Sequence, residues 1–92
     1  MRKKTLFMYT SREKAKSGLF GAVRANPHAT IKQTDYSLEF PTGESWVFAF
    51  PHSDGKYKIC GMQLHSIWAD ADVEYEHLRH AIAQIRYFPG RD

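Results

Sequence analysis

Residues 36–50 constrain the fold of this 92-residue chain more than any other stretch. Residues 36–40 (YSLEF) alternate strictly, with Tyr36, Leu38 and Phe40 on one face. Residues 45–50 (SWVFAF) set Trp46, Phe48 and Phe50 against Val47 and Ala49, so this second run is apolar on both faces. A period of two is the signature of extended chain. Between the runs, Pro41-Thr42-Gly43-Glu44 offers a fixed φ and a glycine suited to a positive φ, which is hairpin-loop chemistry. An antiparallel hairpin is therefore expected here.

The flanking segments supply the rest of a small sheet. Residues 5–10 (TLFMYT) form an apolar run of strand length. Thr10 opens T-S-R-E, where Thr10 and Glu13 match a capping box. Ala15, Leu19, Ala22 and Val23 then recur at helical spacing, and Asn26-Pro27 stops the helix. Gly18 and Gly21 lie inside it and read as close-packing positions. Residues 29–33 (ATIKQ) form a further short extended segment, and residues 51–62 an irregular loop. Residues 63–69 (QLHSIWA) read as a last strand with Leu64, Ile67 and Trp68 buried. Asp70 or Asp72 caps a second helix with an apolar stripe of Tyr75, Leu78, Ala81, Ile82 and Ile85, ended by Phe88-Pro89-Gly90. The expectation is one α/β (α+β) domain over residues 1–92. Its mixed five-stranded sheet joins a parallel pair, from the first and last strands, to an antiparallel meander with a central hairpin. Two helices cover one or both faces.

Composition bounds the class. At 42% hydrophobic and 25% charged, the chain is too apolar for disorder. No window approaches the ~20 apolar residues of a membrane span. The basic start and short apolar run of MRKKTLFMYT read as a strand, not a signal peptide. A lone cysteine, Cys60, excludes an internal disulfide and points to a cytoplasmic setting.

Thirteen Lys and Arg against ten Asp and Glu give a net charge of +3, and their distribution is uneven. Arg2, Lys3, Lys4, Arg12, Lys14, Lys16 and Arg24 crowd the first quarter, where Glu13 is the sole acid. Lys56-Tyr57-Lys58 adds a basic, aromatic stretch in the irregular loop. Arg2, Lys3, Lys4, Arg12, Lys16, Lys56, Tyr57 and Lys58 are the candidate contacts for a nucleic acid, lysine and arginine for phosphates and Tyr57 for a base. Asp70, Asp72, Glu74 and His77 gather oxygen and nitrogen donors that would suit a metal, although H-E-x-x-H spacing is lacking. Neither G-x-x-x-x-G-K-[ST] nor G-x-G-x-x-G occurs. Cys60, near Lys56, Lys58 and His65, reads as a packing residue more than a nucleophile. No cofactor is indicated.

In order, these segments resemble part of the ATPase domain of phage large terminases, the DNA-packaging motors. The TLFMYT strand with S-R-E-K-A-K is similar to that family's strand and helix after the phosphate loop. S-L-E-F-P-T-G-E-S-W-V-F-A-F resembles its hairpin, and K-I-C-G-M-Q-L-H-S-I-W-A-D-A-D its R-G element and Walker B strand. The resemblance runs from Lys4 to Asp72. It implies that the chain keeps part of that scaffold and lacks the hydrolytic parts. The phosphate loop is absent, Asp70 falls at the magnesium-binding acid, and Ala71 occupies the place of the catalytic carboxylate. Cys60 stands where the family has Arg. An alanine cannot activate or orient water. The reading is therefore a non-catalytic accessory protein, phage-related, that binds nucleic acid or regulates a DNA-processing or packaging machine. The alternatives are an interaction module or inhibitor that docks on a motor or host enzyme, a chain that self-associates through an exposed edge of the meander, and a small metal-dependent hydrolase.

Overall fold

The computed structural model describes residues 3–32, 36–59 and 63–85. Five strands, β1 (Lys4–Met8), β2 (Thr30–Lys32), β3 (Ser37–Glu39), β4 (Ser45–Ala49) and β5 (Ser66–Ala69), form one mixed sheet of order β2-β3-β4-β1-β5. β1 runs parallel to both β4 and β5, pairing Phe7 with Phe48 and with Trp68. β2, β3 and β4 form the antiparallel meander, with Leu38 opposite Trp46 and Ile31 opposite Leu38. The expected architecture is what the chain adopts, with β1 inserted between β4 and β5. Among the described residues no helix is long and apolar enough to cross a membrane.

The hairpin follows from its loop. The Gly43 amide donates to the Phe40 carbonyl and the Phe40 amide to the Glu44 carbonyl, both at 2.9 Å, with Gly43 at φ 93°. That is a three-residue loop closed by a left-handed glycine, with Pro41 presetting the first loop position. The same grammar recurs in residues 52–56, read from the sequence as irregular. There the Gly55 amide donates to the His52 carbonyl at 2.8 Å, with Gly55 at φ 76°. The chain then returns in alternation, burying Tyr57 and Ile59 and exposing Lys56 and Lys58.

α1 (Arg12–Ala25) begins one residue later than a Thr10 cap would place it. Ser11 is the N-cap, with extended backbone, and its hydroxyl accepts from the Lys14 amide at 3.2 Å. Asn26 closes the helix as expected. Ala15 and Leu19 are buried, with Ala22 and Val23 packed beside them. Gly18 is a close-approach position: a Cβ there would lie 2.7 Å from Tyr9 Cζ. Gly21 faces open space, contrary to expectation.

The sheet is covered on both sides, by different material. On one side α1 packs over β3 and β4, against Phe7, Tyr9, Tyr36, Leu38, Phe40, Trp46, Phe48 and Phe50. On the other, Leu6, Met8, Val47, Ala49, Ile67 and Ala69 meet Tyr57, Ile59, Leu64, Val73 and α2 (Tyr75–Ile82). α2 is shorter than its sequence pattern, and its cap is Glu74 with no side-chain cap bond. Neither Asp70 nor Asp72 caps it. Its buried residue is Ala81, with Leu78 and Ile85 packed on the core, while Tyr75 and Ile82 turn outward. Trp68 also departs from expectation. It is 46% exposed, because β5 is an outer strand and α1 sits over the opposite half of the sheet. The Phe88-Pro89-Gly90 terminator lies outside the described residues.

Candidate nucleic-acid interface

Among the described residues, the basic and aromatic candidates do not form one surface. Lys3 and Lys4 stand at the amino end of β1, whereas Arg12 begins α1 beyond the carboxyl end of that strand. Lys16 is exposed on α1, and Lys56 and Lys58 extend from the segment covering the aliphatic face. Several cations already have partners. Arg12 Nε donates to the Tyr36 hydroxyl at 2.9 Å, and Lys58 Nζ lies 3.5 Å from Asp54. Tyr57 is a correction to the sequence reading. It is 6% exposed, and its hydroxyl donates to the Tyr9 carbonyl at 2.6 Å. Its ring meets His77 edge-on at 5.1 Å. Burial first, then Asp72 and Glu74, raise its pKa above the ordinary tyrosine value. Tyr57 is a core anchor with no face to offer a base. Arg2 and Cys60 lie outside the described residues.

What the fold does bring together is Lys3 and Lys4 with a histidine the sequence reading left out. The amino ends of the three parallel strands meet here. The Ser45 amide donates to the Lys3 carbonyl at 2.8 Å, and the His65 amide to the Lys4 carbonyl at 2.9 Å. The Lys4 amide donates in turn to His65 Nδ1 at 3.2 Å. His65 Nδ1 is the acceptor of that bond, which ties the ring to the start of β1. Lys3, Lys4, Ser45, Gln63 and His65 line an open cleft of about 490 Å³, walled by Glu39 and by the hairpin residues Phe40, Pro41 and Gly43. Lys32 Nζ lies 2.7 Å from Glu39, which offsets the wall's single acid. The residues that line the cleft thus include two lysines, a glutamine, a serine and a histidine, residue types suited to an anionic oxygen-rich ligand. His65 was not legible as a member, because only the β1–β5 pairing carries it across 61 positions of sequence.

The four metal candidates do not assemble into a metal-binding group. Asp72 accepts from Lys14 Nζ at 2.6 Å and from the Thr10 hydroxyl at 2.8 Å. Those two bonds and the Lys14 charge hold the Asp72 pKa below the ordinary carboxylate value, and the Lys14 pKa rises correspondingly. Asp70 turns back to accept from the Ala71 amide at 2.9 Å, and His77 rests on Tyr57. Glu76 and His80 do share a groove on α2, but its other lining residues are Arg79 and Ala83. Among the described residues no three His, Cys, Asp or Glu side chains are grouped to hold a metal.

Compared with known families, curated proteins and solved structures, the chain matches none.

Proposed function

We propose that this chain is a non-catalytic accessory protein that grips the phosphate backbone of a nucleic acid in the Lys3–Lys4–His65 cleft, in the service of a DNA-processing or packaging machine. The observation that supports this is the convergence of Lys3, Lys4, Gln63, Ser45 and His65 around one open cleft at the amino ends of β1, β4 and β5. Lysines act there as point charges, and the Gln63 amide adds directional hydrogen bonding. Phosphate contacts of this kind position a backbone without reading bases, so binding is sequence-independent. The loss of Tyr57 as a stacking platform argues in the same direction.

The test is fluorescence anisotropy with labelled duplex and single-stranded DNA across a salt series. Two neutralised phosphates give a log–log salt slope of about −2. The double variant Lys3→Gln/Lys4→Gln is expected to weaken binding at least ~10-fold. Arg12→Gln, at the far end of β1, should leave affinity nearly unchanged. Absence of binding by either DNA form at low salt overturns the proposal, as does an Arg12→Gln loss equal to that of the double variant.

A further inference from the structure

Among the described residues, Trp68 is the large apolar side chain left exposed on the α1 side of the sheet, at 46%. Tyr75 and Ile82, also exposed, belong to α2 on the opposite side. Trp68 lies on β5, next to β1, while α1 packs over β3 and β4. Its indole meets Phe7 and Tyr9 at ring separations of 5.9 and 5.5 Å, tilted by 43° and 49°, so neither ring lies flat over it. Both neighbours are held in place by other contacts. Phe7 is stacked on Phe48, and Tyr9 is pressed against α1 at Gly18. The indole is therefore an exposed aromatic plane backed by two fixed rings.

One strand joins this plane to the basic cleft. Strand alternation puts Lys3, Thr5, Phe7 and Tyr9 on one side of β1, with Ser66 and Trp68 beside Thr5 and Phe7 on β5. At the usual strand rise, Lys3 stands about 13 Å from Phe7. Between them the Thr5 and Ser66 hydroxyls share a hydrogen bond at 2.7 Å. Charge decides which part of a nucleic acid suits each end of this track. Lys3 and Lys4 suit a phosphate, whereas Thr5, Phe7, Tyr9 and Ser66 around the indole are uncharged and suit a base.

We propose that Trp68 is a stacking platform for an unpaired base of the nucleic acid whose phosphates are held in the Lys3–Lys4 cleft, so that the chain prefers single strands to duplex. This inference rests on the cleft reading above. A base inside a duplex has both faces covered by its neighbours, whereas an unpaired base has a face to offer. Every base has such a face, so the preference is for strandedness and not for sequence.

The test titrates a thymidine oligonucleotide of about 12 residues, and the matching duplex, at low salt. A Trp46→Phe variant leaves Trp68 as the one indole in the chain, and its emission should be quenched by the single strand and not by the duplex. Trp68→Leu, which keeps apolar bulk without an aromatic plane, should weaken single-strand binding roughly 10-fold and leave duplex binding unchanged. Trp68→Tyr should retain most of the affinity, and Tyr75→Ala, on the other side of the sheet, all of it. Circular dichroism checks that each variant is folded. Single-strand binding that Trp68→Leu leaves intact overturns the platform, and the cleft reading survives if Lys3→Gln/Lys4→Gln still weakens that binding. Equal affinity for single strand and duplex with unchanged indole emission also overturns it. Absence of binding by both DNA forms removes the cleft reading and this inference with it.

Discussion

The two faces of the sheet bury comparable strands by different means. The α1 face is aromatic, with Phe7 stacked on Phe48 at 4.9 Å and Phe40 edge-on to Trp46 at 4.7 Å. Its cover is one regular helix that follows β1 directly in the chain. The other face is aliphatic, with Leu6, Met8, Ile59 and Leu64 almost wholly buried. Its cover is a turn, an extended return carrying Tyr57 and Ile59, and a two-turn helix, drawn from three stretches of sequence. A continuous helix closes a face through its own periodicity. A cover assembled from pieces depends on a few anchors, of which Tyr57 is the largest.

That contrast can be broken by truncating one anchor on each side. Phe48→Ala and Tyr57→Ala are each expected to cost about 4 kcal/mol in urea unfolding. Lys58→Ala, beside Tyr57 in sequence, should stay within about 0.5 kcal/mol. If Tyr57→Ala were as mild as Lys58→Ala, the second cover would not be a true core. A smaller effect separates the starts of the two helices. Ser11→Ala removes the cap of α1 and should cost about 1 kcal/mol, whereas Asp70→Ala removes no cap from α2. The smallest effect sharpens how the two sides are joined. Asp72, on the approach to α2, holds Thr10 and Lys14 on the approach to α1. Its pKa is lowered in the folded chain, so its stabilisation is present above the ordinary carboxylate value of 3.8. That stabilisation disappears as pH falls through the lower folded value. Asp72→Asn should flatten the acid limb of the stability profile between pH 5 and acid unfolding by a small, salt-sensitive amount, about as expected of exposed ion pairs.

The same contrast explains what could be read from the sequence. The hairpin and α1 were legible because their patterns are local: alternation in residues 36–50, and the spacing of Ala15, Leu19, Ala22 and Val23. The sheet class followed from them. Trp68 was misassigned because alternation says which side a residue faces and not whether anything covers that side. Tyr57 was misassigned because its lysine neighbours suggested a surface, although the run K-Y-K-I already alternates polar and apolar. The N-cap moved by one residue because Thr10 and Ser11 both carry a capping hydroxyl. Ser11 has the extended backbone a cap requires, and Thr10 is engaged by Asp72. At the cleft, Lys3 and Lys4 could be named from charge alone. His65 and Gln63 could not, since their place depends on which strand neighbours β1.

The position of β1 in the sheet also governs how this polypeptide is made. β1 leaves the ribosome before β4 and β5, the strands it belongs between, whose first residues are Ser45 and Ser66. Until those later strands emerge, β1 has α1 beside it but no hydrogen-bonded neighbour for Leu6 through Met8. Closing that distance requires loops of some forty and sixty residues, a slow and entropically costly search. During translation, an apolar segment is therefore left waiting without its ladder. An apolar strand without its ladder is the kind of segment that aggregates during folding.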